Sequence, residues 1–256
     1  MKVFDIFARR KSLPTYTADP NPPAWLHALL LLTELRYESF TPNHIRVTKS
    51  HENFSEKAQL AIHTLLFIGL QLMPQTNPTV LALEVLLAIY ILWTSLQICL
   101  RYKSSPALFG PLYLADSLQG FWSETWHNAF SSPVTSLAYG PVRMASLRIG
   151  LPITLARSFG VLASFIFMGA FHVGGLWPLL STEGLKRIMA FFIINGLGTI
   201  AEVLVWGRKR NWIRASLAWA FQTVVASWAA ETAGLPRGLH GIQWGKLCGE
   251  GLGCQA

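Results

Sequence analysis

The chain has 256 residues, of which 52% are hydrophobic and only 13% are charged, about half the charged share of an ordinary soluble domain. A soluble fold of this size would have too few charges to cover its surface. The net charge of +8 would suggest nucleic acid as the partner of a soluble domain, but the basic residues lie mostly between apolar blocks, as the positive-inside rule predicts. Composition therefore argues against a soluble or nucleic-acid-binding protein and predicts one whose partner is the lipid bilayer.

Apolar blocks alternate with short polar stretches along the chain. A membrane-spanning helix needs about 20 largely apolar residues. An early run at 24–33 is only ten residues long and is better suited to an interfacial helix, whereas five later blocks approach the spanning length, namely 57–73, 79–100, 159–180, 185–206 and 212–230. We predict an all-α, polytopic membrane bundle of about five to six spanning helices with additional interfacial and re-entrant helices.

The connection between the second and third blocks, residues 101–157, is unusual. It holds five prolines, yet it is too apolar for a solvated loop. Irregular backbone at membrane depth is tolerated only where protein or a water-filled cavity surrounds it, so we predict a re-entrant connection. Residues 1–56 are predicted to be a cytoplasmic or interfacial segment, 57–233 a single membrane-embedded catalytic domain, and 234–256 a tail. Basic residues place the connection in the cytoplasm.

Four ionisable residues lie inside or beside these blocks: His63, Glu84, His172 and Glu202. Such residues are costly in lipid, so each is a candidate functional residue. Simpler explanations exist for three of them, because His63 and Glu84 lie near helix ends and Glu202 can pair with an arginine from 208–214. His172 lies deep in an uncharged block, where a neutral imidazole can act as a general base.

The densest polar and aromatic cluster is ADSLQGFWSETWHNAF, at 115–130. If this stretch is helical, Glu124 and His127 share a face, and the carboxylate can orient the imidazole. Trp122 and Trp126 are four residues apart and can line a groove. An aromatic-rich interfacial helix that happens to contain one histidine is the alternative interpretation.

The segment SPALFGPLYLADSLQGFWSETWHNAF, at 105–130, resembles the wax-synthase branch of the membrane-bound O-acyltransferase superfamily. SFIFMGAFH, at 164–172, is similar to the segment that ends at the family's proposed catalytic histidine, and FFIINGLGTIAE, at 191–202, looks like the helix that follows. The lead PALFG and the compact length resemble fungal members of secondary metabolism. The elements that carry the first match are Leu108–Phe109–Gly110, Ser117–Leu118, Phe121–Trp122 and Trp126–His127.

The resemblance implies transfer of an acyl group, acetyl among the candidates, from acyl-CoA to a hydroxyl of a lipophilic acceptor such as a long-chain alcohol, terpenoid or polyketide. Acyl-CoA would be a co-substrate, with no tightly bound cofactor or metal, and the membrane would be that of the endoplasmic reticulum. His172 would be the general base. The oxyanion donors would be His127, Asn128 and Trp126, the substrate contacts Phe121, Trp122, Glu124 and Glu202, and the basic residues for the CoA phosphates Arg143, Arg148 and Arg157.

Two departures from the family pattern keep other functions open: Met168 replaces a small polar residue, and Val173 replaces an acidic one. One alternative is a membrane terpenoid cyclase or isomerase on the same scaffold that uses no acyl donor. Its acids would be Glu84, Glu124 or Glu202, and aromatic side chains would shield a carbocation. A non-catalytic lipid-binding or assembly subunit is the third hypothesis.

Overall fold

A computed structural model describes residues 2–17, 20–34, 36–41, 43, 55–100, 107–207, 209 and 211–232. The predicted tail at 234–256 and the first residues of the connection, 101–106, lie outside this set. Ten α-helices are present in the described residues, together with a two-stranded antiparallel ladder that pairs Thr15–Tyr16 with Phe40–Thr41. The helices are α1 (Lys2–Ala8), α2 (Ala24–Thr33), α3 (Glu56–Gln71), α4 (Pro78–Leu100), α5 (Leu118–Gly120), α6 (Ser131–Val134), α7 (Gly140–Arg148), α8 (Ile153–Leu176), α9 (Thr182–Trp206) and α10 (Trp212–Thr232).

Three helices of the described residues, α4, α8 and α9, are long and apolar enough to cross a membrane. The predicted all-α membrane bundle is confirmed, although five to six such helices were expected. The difference arises from α3 and α10. Helix α3 has 16 residues, about 24 Å of rise against a hydrocarbon core of about 30 Å. Helix α10 has 21 residues, but it carries Arg214, Gln222 and Glu231.

Helices α8 and α9 form an antiparallel hairpin whose close approach depends on glycine. A Cβ atom at Gly169 would lie 2.8 Å from the sulfur of Met189 and 3.2 Å from Cβ of Phe192, and one at Gly196 would lie 3.0 Å from Phe165. Small residues allow helix backbones to approach in this way. The hairpin sets the position of His172, which lies on α8 beside Phe192.

The described part of the connection folds into short helical turns rather than one long helix. A 3₁₀ turn at Leu112–Leu114 precedes α5, which continues into a π-helix at Phe121–Thr125. This unit packs against α9 and α10, and the indole N–H of Trp219 donates to the carbonyl oxygen of Ala115 at 3.0 Å. Helix α6, a second π-helix at Thr135–Tyr139 and α7 then return alongside α8. The connection therefore places α5 against α9 and α10.

The first forty residues pack against this connection. We use the term N-terminal segment for the described residues of 2–41. Asp5 is fully buried and accepts hydrogen bonds from Ser132 at 2.9 Å, from Tyr37 at 3.0 Å and from Ser136. Arg9 donates to Asp5 at 2.9 Å. Burial would raise the pKa of the Asp5 carboxyl, but these four hydrogen bonds together outweigh it and hold that pKa below its usual value.

Candidate active site

His172 presents one ring nitrogen for chemistry because the other is held by its own helix. Its Nδ1 lies 2.8 Å from the carbonyl oxygen of Met168, one turn earlier on α8. A carbonyl oxygen can only accept a hydrogen bond, so Nδ1 carries the proton and Nε2 carries the lone pair. The ring is half-buried and lies 4.6 Å from the ring of Phe192, centre to centre. A neutral imidazole in this tautomer is suited to accept a proton.

His127 lies in a turn of the connection, two residues beyond the end of the first π-helix. That helix ends at Thr125, and Trp126 is extended with φ −72° and ψ 156°. Burial, with a smaller contribution from His172, lowers the pKa of His127 to about 4. Its Nδ1 is buried and has no hydrogen-bond partner among the described residues. Such a nitrogen is a candidate contact for a bound polar group, since unpaired buried polar atoms are uncommon.

The helical spacing expected between Glu124 and His127 is therefore wrong. Glu124 is exposed on the π-helix, whereas the chain has left the helix before it reaches His127. The expectation required the helix to continue through residue 130. The extended conformation of Trp126 ends the helix, so Glu124 and His127 do not share a helical face. Trp126 itself lies 5.2 Å from the His127 ring, centre to centre, and stacks on Phe121 at 5.5 Å.

Two phenylalanines lie between the histidines. The ring centre of Phe130 is 5.8 Å from that of His127 and 5.1 Å from that of Phe171, which lies 5.7 Å from His172. The fold thus brings together a turn of the connection and the last third of α8. Phe109 and Trp93 complete the aromatic surroundings of His127, at 5.5 and 6.4 Å. Trp93, on α4, is a site residue that the sequence analysis did not identify.

Trp122 links the connection to α9 through a polar contact. Its indole N–H donates to Oδ1 of Asn195 at 3.2 Å, and its ring lies 6.2 Å from that of Phe192. Asn195 is fully buried and donates to the carbonyl oxygen of Phe191 at 2.9 Å. A single asparagine in the apolar stretch FFIING is the sequence feature that could have indicated this role. The predicted aromatic groove is thus anchored by a residue that the prediction omitted.

Asn128, a predicted oxyanion donor, lies beside His127 in the chain. Its Oδ1 accepts a hydrogen bond from Arg36 at 3.0 Å. Arg36 belongs to the N-terminal segment, is 2% exposed and also pairs with Glu38 at 2.9 Å. The side-chain amide therefore has a fixed orientation, with its oxygen directed at the guanidinium.

Glu202 supports the connection from α9. One oxygen accepts from the backbone N–H of Leu118 at 2.8 Å, and the other accepts from the N–H of Gln119 at 3.0 Å and from Arg214 at 2.9 Å. Glu202 and Arg214 are 6% and 2% exposed, so this is a buried ion pair. The pairing is the one that the sequence left open for Glu202. Its carboxylate anchors the first turn of α5.

The predicted phosphate-binding arginines lie far along α8 from His172. Arg157 is in the second turn of α8 and His172 is fifteen residues later, which corresponds to about 22 Å along the helix axis. Arg148 ends α7 beside the start of α8, and both Arg148 and Arg157 are exposed. Arg143 is half-buried in α7. These residues form a basic patch at the opposite end of α8 from the histidine.

The remaining intramembrane candidates have separate surroundings. Nδ1 of His63 lies 2.6 Å from the carbonyl oxygen of Gln59, and the ring stacks on Tyr90 with a centre-to-centre distance of 4.0 Å. Glu84 is 4% exposed, and its Oε1 has no hydrogen-bond partner among the described residues. A cavity of about 320 Å³ lies between α9 and α10, lined by Leu118, Glu202, Arg214 and Phe221 among others, with neither His127 nor His172 in its lining.

Comparison with known proteins finds sequence similarity in the region that contains these residues. Residues 105–194 match the Membrane bound O-acyl transferase family, and this range contains both histidines. Similar curated proteins from Arabidopsis thaliana are a "Probable long-chain-alcohol O-fatty-acyltransferase 7", 31% identical over 58% of this chain and 44% of its own length, and a "Probable long-chain-alcohol O-fatty-acyltransferase 9", 36% identical over 38% and 28%. The "Long-chain-alcohol O-fatty-acyltransferase" of Simmondsia chinensis is 28% identical over 47% of this chain and 36% of its own length. No solved structure matches. The chain covers less than half the length of each of these relatives, and it carries a region similar to membrane-bound O-acyltransferases in an all-α membrane bundle.

Proposed function

We propose that this protein is a membrane O-acyltransferase that moves an acyl group from acyl-CoA to the hydroxyl of a lipophilic alcohol. The observation that carries the proposal is the pairing of the two histidines. Both lie within the family match at 105–194. Phe130 lies beside His127, Phe171 lies beside His172, and the two phenylalanine rings are in contact with each other. His172 has its lone pair on Nε2, as a general base requires.

The proposed reaction needs only the alcohol, acyl-CoA and His172 as proton carrier. Nε2 accepts the proton of the acceptor hydroxyl while the oxygen attacks the thioester carbonyl. The resulting tetrahedral oxyanion is stabilised by hydrogen-bond donors, for which His127, Asn128 and Trp126 are the candidates. When the C–S bond breaks, the thiolate of CoA leaves and takes the proton from the imidazolium. His172 is then neutral again, and the products are an ester and CoA.

The acceptor is proposed to be a long-chain alcohol or another lipophilic hydroxyl compound, such as a terpenoid or polyketide. The names of the similar proteins support the first class, and the aromatic side chains around the histidines suit either class. The proposal includes acyl groups that range in length from acetyl to a fatty acyl chain. We place the reaction in the endoplasmic reticulum membrane, with the basic patch of Arg143, Arg148 and Arg157 facing the cytoplasmic acyl-CoA.

The alternative of an acid-triggered cyclase or isomerase has less support. Glu202 accepts hydrogen bonds from Leu118, Gln119 and Arg214, so its carboxylate has a structural role at the first turn of α5. Glu124 is exposed. Glu84 lies near the beginning of α4. Within the described residues, Glu84 and Glu202 make no hydrogen bond to either histidine of the pair that carries our proposal.

The test compares two histidines that have the same local bond. His172 and His63 each lie close to the carbonyl oxygen four residues earlier. Membranes with matched amounts of wild type, His172→Gln and His63→Gln would be given labelled acyl-CoA and a long-chain or terpenoid alcohol, and products would be identified by mass spectrometry. We expect His172→Gln to lower the rate at least about 100-fold, as for loss of a general base, and His63→Gln to retain it.

The product mass decides between the proposals. A product heavier than the alcohol by one acyl group supports acyl transfer and identifies the acyl chain. A product with the mass of its precursor would replace acyl transfer with cyclisation or isomerisation. Equal rates in wild type and His172→Gln would remove His172 from the mechanism.

A further inference from the structure

Arg36 of the N-terminal segment contacts the two parts of the connection that meet beside His127. Its Nη1 donates to Oδ1 of Asn128 at 3.0 Å and to the carbonyl oxygen of Ala107 at 3.3 Å. Its Nε donates to Glu38 at 2.9 Å. The guanidinium is almost completely buried, with 2% of the residue exposed. A planar guanidinium can serve several acceptors at once in a fixed geometry, which an ammonium group cannot.

The backbone around these acceptors forms a local pairing that Arg36 extends. The N–H of Gly110 donates to the carbonyl oxygen of Thr125 at 2.9 Å, and the N–H of Asn128 donates to that of Leu108 at 3.4 Å. His127 lies between these two hydrogen bonds. The longer of them is the one beside Arg36, so the guanidinium reinforces the weaker end of the pairing.

A second contact of the N-terminal segment lies on the other side of the same turn. Asp5 accepts hydrogen bonds from Ser132 and Ser136, which follow His127 by five and nine residues. Arg9 also donates to Ser132 at 3.1 Å. The N-terminal segment therefore contacts the turn at 127–130 through Arg36 at Asn128, and contacts the residues just after this turn through Asp5. Both buried charges come from outside the region at 105–194 that matches the acyltransferase family.

We propose that Arg36 is a positioning residue for acyl transfer. It fixes the Asn128 amide and the carbonyl of Ala107, and this holds the His127 ring at the distance from His172 that the transition state needs. The inference rests on the proposed function, because it assigns Arg36 a role in that reaction. It also predicts a specific kinetic result. Arg36 does not bind either substrate, so its loss weakens catalysis and not the binding of acyl-CoA or alcohol.

The test uses Arg36→Lys, Asn128→Ala and the double variant, with kcat and both KM values measured in membranes of matched protein content. The lysine keeps a positive charge beside Glu38, which protects folding, but it cannot reproduce the fork to Asn128 and Ala107. We expect kcat to fall at least about tenfold, as for a small displacement of a catalytic group, while both KM values change less than about twofold. In the Asn128→Ala background only the contact with Ala107 remains to be lost, so Arg36→Lys should lower kcat less than it does in the wild type.

Lys2→Met is the matched control. Lys2 is a cation of the same segment, and the groups that it contacts, the carbonyl oxygen of Glu34 and the ring of Tyr37, lie within that segment. This variant should keep the wild-type kcat. If Arg36→Lys retains full kcat in an enzyme that His172→Gln inactivates, the inference fails and the proposed function stands. Multiplicative effects of Arg36→Lys and Asn128→Ala would also overturn it. A wild type without acyl transfer would overturn both.

Discussion

Individual acidic residues in the bundle differ in what neutralises them. Glu202 is paired with Arg214 and accepts two backbone hydrogen bonds, whereas Oε1 of Glu84 has no partner among the described residues. Both residues are buried on apolar helices, at 6% and 4% exposure. A buried carboxyl oxygen without a hydrogen-bond partner is costly, and so is the loss of one partner of a buried ion pair. Opposite effects are therefore expected from the same substitution at the two sites.

We predict that Glu202→Gln lowers the free energy of unfolding by about 3 kcal/mol, because it leaves the Arg214 guanidinium buried without its counter-charge. Glu84→Gln should leave stability unchanged or raise it, since an amide is less costly to bury than a carboxylate. Thermal unfolding in detergent, followed by tryptophan fluorescence, would measure both. A larger loss for Glu84→Gln than for Glu202→Gln would contradict this prediction.

The sequence identified the residues whose signal is local. His172 and Glu202 were visible as single ionisable residues in apolar blocks, and Trp122, Trp126 and His127 as a dense cluster. Asn195 had the same type of signal but was not selected. Arg36 and Asp5 could not be identified in this way, because their partners lie 92 and 127 residues later in the chain. Nothing in the N-terminal stretch indicates that Asp5, Glu34 and Arg36 are buried.

At the scale of helices, the spacing between α8 and α9 determines where His172 lies relative to Phe192. The length of the apolar blocks predicted the helices, but not which glycines are in contact. Gly169 faces Met189 and Phe192, whereas nothing lies within 4 Å of a Cβ atom placed on Gly174. The π-helix before His127 was also missed, because residue composition does not distinguish it from an α-helix.

We expect Gly169→Ala to push α8 from α9, displace His172 and lower kcat about tenfold or more, since catalytic geometry is sensitive to shifts of less than 1 Å. In Gly174→Ala the added methyl group has no atom within 4 Å, so kcat should be unchanged. A small gain in stability is expected, because alanine is a better helix former than glycine. Acyl transfer and thermal stability would be measured for both variants. Equal activities would show that the sulfur of Met189 moves aside and that the hairpin spacing is adjustable.

At the scale of the whole molecule, exposed basic residues of the described part of the chain lie near both ends of α8. Arg148 and Arg157 lie where α7 ends and α8 begins, and the exposed Lys186 lies in the first turns of α9, near the end of α8 that carries His172. If acyl-CoA approaches from the end with the arginines, its phosphates meet positive charge there and its thioester must reach about 22 Å further along α8 to His172.

The prediction is that Arg148→Glu with Arg157→Glu raises KM for acyl-CoA about tenfold at low ionic strength and much less at high salt, because exposed charges are screened. KM for the alcohol should not change. Lys186→Glu, a single reversal at the other end, serves as the control. If Lys186→Glu raises KM for acyl-CoA and the double arginine variant does not, the donor enters from the opposite end of the bundle.

The contacts between the N-terminal segment and the connection also set an order of events during biosynthesis. Asp5 and Arg36 leave the ribosome long before Ser132 and Asn128, the residues that they bind. Helix α4, which can cross the membrane, is made in between. The contacts of Asp5 with Ser132 and of Arg36 with Asn128 can therefore form only after the connection has been synthesised. The surroundings of His127 are completed only after that step, so the candidate site is not assembled while the first helices enter the membrane.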